Sequence, residues 1–322
     1  MSTDEMKMDV RQMKSGGFIK QPEKDTFVAR IHVYGGNIEA DKLLKAAELS
    51  RKYGRGYLHL TFQQSLEITG LDVSRVSEFY KDLDAAGLTM ANCGPKIRAM
   101  TACQGCKVNP YGVVDAPGLA AQADKMFFGR EMPAKFKVAY SGCPIGCPNP
   151  QENDIGFHGM VEPELDAGLC NGCTLCARLC TSRGGDCLVM DEKTNLPVRD
   201  DSKCVYCGEC IYCCPTLAMK TKRAGHAVYV GGKHGRFPRW ANRVADFVSD
   251  EDTFELIEKV STWYKTNAKR GERLGTAIDR LGLNKFRKEV LGDKYKTAHK
   301  WDREGSRPEG VKYRVLHTWD SE

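Results

Sequence analysis

The chain has 322 residues, 41% hydrophobic and 28% charged, with a formal net charge of +6. That balance allows two or three compact units and excludes a disordered polymer. No apolar run approaches the roughly 20 residues of a membrane span, and the basic residues are scattered, which argues for solvated helix faces rather than a nucleic-acid-binding surface.

Residues 1–24 read as an N-terminal arm. Phe27–Tyr34 alternates and is β-branched, so it predicts a strand, ended by Gly35-Gly36. Ala40–Lys52 predicts an amphipathic helix with Leu43, Leu44, Ala47 and Tyr53 on one face. Tyr57–Phe62 and Ser65–Thr69 predict two strands. Val73–Ala86 predicts a second helix with Val76, Phe79, Tyr80 and Leu83 inward and Gly87 as its stop. This β-α-β-β-α order over 25–95 describes a small α+β sandwich with its helices on one face of a sheet. A second α+β unit covers 96–161 and 223–292, with strands at Lys135–Tyr140 and His226–Gly232 and helices at Phe254–Lys269 and Thr276–Leu291. A module over 162–222 is inserted into it. Residues 293–322 form a charged tail with Trp301 and Trp319 as anchors.

Fifteen cysteines carry the chemistry. With no apolar signal core in Met1–Lys24, they indicate thiolate–metal chemistry in a reducing cytoplasm rather than disulfides. Cys170, Cys173, Cys176 and Cys180 form one C-x2-C-x2-C-x3-C ladder. Cys204, Cys207, Cys210 and Cys214, followed by Pro215, form a second. In such ladders three thiolates wrap one [4Fe–4S] cluster and the fourth crosses to the other. Cys170, Cys173, Cys176 and Cys214 are therefore assigned to one cluster, and Cys204, Cys207, Cys210 and Cys180 to a second. A further quartet, Cys103, Cys106, Cys143 and Cys147, has spacing suited to a third Fe–S centre, with zinc as the alternative. Cys93, Cys187 and Cys213 read as packing thiols.

The segment Ala139-Tyr-Ser-Gly-Cys-Pro-Ile-Gly-Cys-Pro-Asn149 resembles the C-x3-C turn of the sulfite and nitrite reductases that couple sirohaem to a [4Fe–4S] cluster. Thr101-Ala-Cys-Gln-Gly105, Pro133–Lys137, Val230–Arg239 and Glu272–Phe286 resemble further family segments, and the whole is nearest to the anaerobic and dissimilatory sulfite reductases. The resemblance implies a ferredoxin-like half domain at 25–95, then a sirohaem/[4Fe–4S] domain carrying an inserted two-cluster ferredoxin. It implies three [4Fe–4S] clusters and sirohaem, with Cys147 bridging cluster and haem iron. It implies cationic partners for the eight sirohaem carboxylates among Arg30, Arg98, Lys135, Lys137, Lys233, Arg236 and Arg239. Lys135, Lys137 and Arg98 would act on the substrate, sulfite or nitrite. Electrons would come from a protein donor, a ferredoxin or a flavin/Fe–S subunit, and the chain would work as a homo-oligomer or beside related subunits.

Two departures stand out. The family's first cysteine pair is C-x5-C. Here it is C-x2-C, with Asn109 where the later cysteine would fall, so Cys106 is read as the fourth ligand and a non-cysteine ligand is the alternative. The family's T-x-R-Q segment reads Thr61-Phe-Gln-Gln64, with Gln63 replacing an arginine of the substrate side. That replacement keeps two rivals open: an electron-transfer subunit with a vestigial haem site, and a reductase of another oxyanion, nitrite first. His59 and His158 are weaker candidates for proton donors, read first as structural histidines.

Overall fold

The computed structural model describes residues 10–297, so Trp301, Trp319 and the start of the predicted arm lie outside the described residues. The first unit runs α1 (Val10–Ser15), β1 (Phe18–Lys20), β2 (Thr26–Ile31), α2 (Ala40–Tyr53), β3 (Leu58–Leu60), β4 (Leu66–Asp72) and α3 (Val76–Ala85). Its four strands form an antiparallel sheet in the order β1-β2-β4-β3. Phe27, Ala29 and Ile31 alternate into the core with Leu66, Ile68 and Leu71, and Ala46, Leu49, Tyr53, Phe79 and Leu83 cover them.

Here the structure corrects three expectations. Residues 10–20 do not drape over the surface. β1 pairs with β2, and Phe18 is buried against Phe79. The inner face of α2 is Ala46, Leu49, Ser50 and Tyr53, whereas Leu43 and Leu44 are exposed. The 46/49/50/53 spacing follows the 3.6-residue period; Leu44 points to the far side, and Leu43, in the first turn, sits at the edge of the stripe. In α3, Tyr80 is exposed at its rim, leaving Phe79 and Leu83 buried.

The second unit runs β5 (Thr101–Ala102), α4 (Ala116–Phe127), β6 (Val138–Ser141), β7 (Ile155–Leu165), then the inserted α5 (Leu175–Ser182), β8 (Leu188–Met190), β9 (Pro197–Arg199) and α6 (Glu209–Tyr212). It returns through β10 (Met219–Val230), β11 (Asn242–Val248), α7 (Asp250–Asn267), α8 (Leu274–Leu281) and α9 (Leu283–Phe286). Five strands form a mixed sheet, β11-β10-β7-β6-β5. β5, β6 and β7 are parallel, while β7, β10 and β11 are antiparallel. α4, α7 and α8 pack on this sheet around Tyr140, Phe157, Ile257, Tyr264 and Ile278. The helix predicted over 276–291 is broken at Gly282, whose φ of +94° a side chain would resist. β11 and α4 are not among the predicted elements. α4 nevertheless begins at a local signal, Asp115, whose side chain caps Gly118 N at 3.0 Å, followed by Pro117.

β7 and β10 pair from Ile155↔Val230 to Leu165↔Met219. The cysteine-rich segment therefore hangs from one long two-stranded arm. Glu162 fastens its base: nearly buried, it holds Arg223 at 2.6 Å, Lys222 at 3.2 Å and Arg199 at 3.3 Å. Burial alone would raise the Glu162 pKa, but these cations hold it below the ordinary value.

Candidate functional site

The inserted segment holds two sulfur-lined spaces. Cys180, Cys204, Cys207 and Cys210 line a cavity of about 310 Å³, joined by Cys187. Cys170, Cys173, Cys176 and Cys214 line a narrower cleft with Gly172 and Pro215. Left-handed backbone at Thr174 (φ +66°), Tyr206 (φ +58°) and Gly208 (φ +77°) curls the chain between successive cysteines. Burial pushes the thiols of Cys207 and Cys210 up. Neutral there, they become ligands by losing protons as metal binds.

The larger cavity also reaches Cys143, Pro144, Ile145 and Tyr111 of the second unit. Tyr111 packs on Tyr212 of α6 with ring centroids 4.6 Å apart. The C-x3-C turn and the inserted segment thus share one wall, and sequence reading assigned this tyrosine pair no role.

At the turn itself, Gly142 N donates to Cys103 Sγ at 3.0 Å. Cys103 and Cys147 are near enough to Cys143 that negative charge on either adds to burial in raising its thiol. Cys106 is exposed on a 3-10 turn at 105–107, its backbone N donating to Val114 O at 3.1 Å. Asn109, at the position of the family's later cysteine, sets its amide 3.8 Å from Cys143 Sγ. The backbones here are crowded: a Cβ on Gly142 would lie 2.5 Å from Gly105 Cα, and one on Gly159 2.4 Å from Gly142 O. No group of three or more His, Cys, Asp or Glu side chains among the described residues closes to single-ion spacing.

Gln64 ties this region to the first unit. Its amide accepts from Ala102 N at 2.9 Å and donates to Ala102 O at 2.7 Å, so a side chain acts as one more strand beside β5. His32 adds a second tie, 3.0 Å from Asp124 of α4 and stacked on Phe128.

Between the units lies a cavity of about 340 Å³ lined by Arg30, Gln63, Asn92, Arg98, Lys135, Lys137 and His234. Arg30 is ion-paired with Glu67 at 2.7 Å, and its other nitrogen lies 3.1 Å from Cys93 Sγ. Arg98 donates to the carbonyls of Asn92 and Gly94. Burial, opposed by Asp154 and reinforced by Lys135, Arg273 and Arg98, lowers the Lys137 pKa to about 8. Asp154 is fully buried, pairs with Arg273 at 2.6 Å and accepts from Lys137 N at 3.0 Å. Three buried atoms on this wall lack a hydrogen-bond partner among the described residues: Gln63 Oε1, Asn92 Oδ1 and Arg98 Nε. Four cations and orphaned polar atoms around one space fit a polyanionic guest.

The other predicted basic residues fall elsewhere. Arg239 is committed to Asp279 at 2.7 Å, Asn242 at 2.6 Å and Gly231 O at 3.0 Å, which makes it the anchor of the 231–242 loop. Lys233 pairs with it through the backbone, and Arg236 is exposed on the loop tip. His59 is exposed, and His158 is buried against Tyr229 OH at 3.0 Å, where burial depresses its pKa to about 3 and keeps it neutral. The histidine that does line the cavity is His234, 2.9 Å from Glu152. Its signal was present in the 230–239 segment.

Comparison with known proteins places the chain. Residues 93–299 match the nitrite and sulphite reductase 4Fe-4S domain, and residues 19–86 the nitrite/sulfite reductase ferredoxin-like half domain. The chain is 33% identical to the coenzyme F420-dependent sulfite reductase of Methanocaldococcus jannaschii over 277 residues, which is 85% of this chain and 44% of that protein. It is 26% identical to one subunit of the anaerobic sulfite reductase of Salmonella typhimurium, covering 81% of this chain and 82% of that relative. The crystal structure of dissimilatory sulfite reductase I shares the fold, with a TM-score of 0.70 at 17% identity over 92% of this chain and 76% of that one. With the larger domain model spanning most of the chain, and both cysteine-bearing units within it, this protein belongs to the nitrite and sulfite reductase family.

Proposed function

We propose that the chain is a sirohaem–[4Fe–4S] reductase that converts sulfite to sulfide with electrons relayed through two ferredoxin-type clusters. The observation that carries this is the presence in one chain of two separate spaces: a cationic cavity between the units, and a sulfur-lined cavity that runs from the inserted segment to the C-x3-C turn. Cys170, Cys173, Cys176 and Cys214 would hold one cluster, and Cys180, Cys204, Cys207 and Cys210 a second. Cys103, Cys143 and Cys147, with Cys106 or Asn109 as the fourth donor, would hold the cluster coupled to the haem. When bound, the clusters would supply one-electron carriers and the haem the iron at which the anion is reduced.

The chain's own residues supply the rest. Arg30, Arg98, Lys135 and Lys137 would hold haem carboxylates and the substrate anion against one another's repulsion. Lys137, poised at about 8, can give a proton to the reacting anion and regain it near neutral pH. Gln64 holds the backbone just before Cys103, and Gly142 N donates to the Cys103 sulfur, which keeps this cysteine beside the C-x3-C turn. Reducing equivalents would enter from a separate protein, consistent with a relative that is by name one subunit of an anaerobic sulfite reductase.

Anaerobically purified protein tests the reading. It should contain about twelve cluster irons per chain and a sirohaem Soret band, and should turn over sulfite faster than nitrite with a low-potential dye. Only a broad Fe–S absorption, with no Soret band, would leave an electron carrier in its place.

A further inference from the structure

Cys187 belongs to neither ladder, yet it lines the cavity of Cys180, Cys204, Cys207 and Cys210. Its sulfur lies 3.3 Å from Cys180 Sγ, and its thiol also interacts with Cys204. A disulfide would need about 2.05 Å, so both sulfurs remain available as donors. Apart from Cys143 of the C-x3-C turn, five thiols of the inserted segment therefore line a space in which a cubane takes four. Ligands to different irons occupy separate corners of a cubane, so a fifth thiol can serve only a corner whose ligand it touches, that of Cys180 or that of Cys204, and the short return from Cys180 points to the first.

The two thiols come from different elements. Cys180 lies near the end of α5. Cys187 directly precedes β8, and its carbonyl accepts from Asp200 N at 2.7 Å, which fixes it to the small β8–β9 sheet. A tight return joins them: Asp186 is left-handed (φ +44°), and a Cβ on Gly185 would stand 2.9 Å from Cys180 Sγ. The turn thus folds Cys187 back onto Cys180, within the buried cluster that also holds Leu188, Cys204 and Cys210.

We propose that Cys187 is an interchangeable ligand for the corner that the ladder assigns to Cys180, giving this cluster a reserve donor. The proposal rests on the cluster reading above. It gives the first ladder, which ends Cys180-Thr181 without the usual proline, a second route to the same iron.

The test uses the full chain, purified without oxygen, as Cys180→Ala, Cys187→Ala, the double variant and Cys207→Ala. Both single variants at the shared corner should keep wild-type iron and show no three-iron EPR signal. The double variant should lose about one iron per chain and show that signal. Cys207→Ala should lose iron by itself. If Cys180→Ala alone loses as much as the double variant, the proposal is overturned. Unchanged iron in Cys207→Ala would overturn the cluster reading itself, a separate outcome. Should Cys180→Ala fail to fold, Cys180→Val, which also carries no donor atom, answers the same question.

Discussion

Replacing Lys137 by methionine should stabilise the protein while weakening its anion cavity. Burial, with Lys135, Arg273 and Arg98 nearby, lowers the Lys137 pKa from 10.5 to about 8. At 1.36 kcal/mol per unit, that displacement corresponds to about 3 kcal/mol. The folded value lies below the unfolded one. Below about pH 8 both states carry the proton, and the folded state bears the whole cost of a crowded ammonium. Between about pH 8 and 10.5 only the unfolded chain holds the proton, so stability rises with pH. Methionine has nearly the same length and no charge. At pH 7 its thermal midpoint should be higher by about 2–8 °C, the equivalent of roughly 1–3 kcal/mol in a chain of this size. That gain should shrink above about pH 8. Anion binding should run the other way, because a bound anion favours the ammonium. Nitrite is the useful probe, since its own titration lies far below this window. In the wild type its affinity should weaken above about pH 8, toward tenfold per pH unit, when followed by calorimetry between about pH 7.5 and 9.5. In the variant affinity should be lower and the slope gone. A flat wild-type profile, or a variant less stable at pH 7, would refute the reasoning.

Three further outcomes follow from the same geometry. Arg273→Met leaves the fully buried Asp154 carboxylate without its partner at 2.6 Å, and should cost about 3–5 kcal/mol, with Asp154→Asn in the same chain restoring part of the thermal midpoint. Gln64→Ala removes both hydrogen bonds to the Ala102 backbone, so it should cost about 1–3 kcal/mol and speed iron release to a chelator, whereas an unchanged release rate would separate Gln64 from the cysteine loop. Because burial raises the thiols of Cys143, Cys207 and Cys210, stripped protein should take up more iron on reconstitution at about pH 9 than at about pH 7; equal yields would contradict proton release on ligation.

Much of the fold was legible locally. Alternation marked the strand at Thr26–Ile31, and glycine and apolar periodicity marked α3 and α7. Less legible were features whose meaning depends on a distant partner. Phe18 looks like part of a polar arm until β2 offers it a sheet edge. Leu43 and Leu44 outrank Ala46 in hydrophobicity, yet the sheet contact selects the stripe containing Ala46. Arg239 reads as one more cation for an anion until Asp279, 40 residues away, is found holding it.

By itself the sequence determined the chemistry available: cysteine spacing is a property of short turns, and a turn gathers its own thiols wherever it sits. The family could be read from such local segments as well. Only the tertiary structure decided which groups share a space. It set Arg30, Arg98, Lys135 and Lys137 around one cavity, replaced a neighbouring strand with the Gln64 amide, brought Tyr111 against Tyr212, and put Cys187 beside Cys180. Those meetings depend on strand register and on the long β7–β10 arm, which fix distances between residues far apart in the chain.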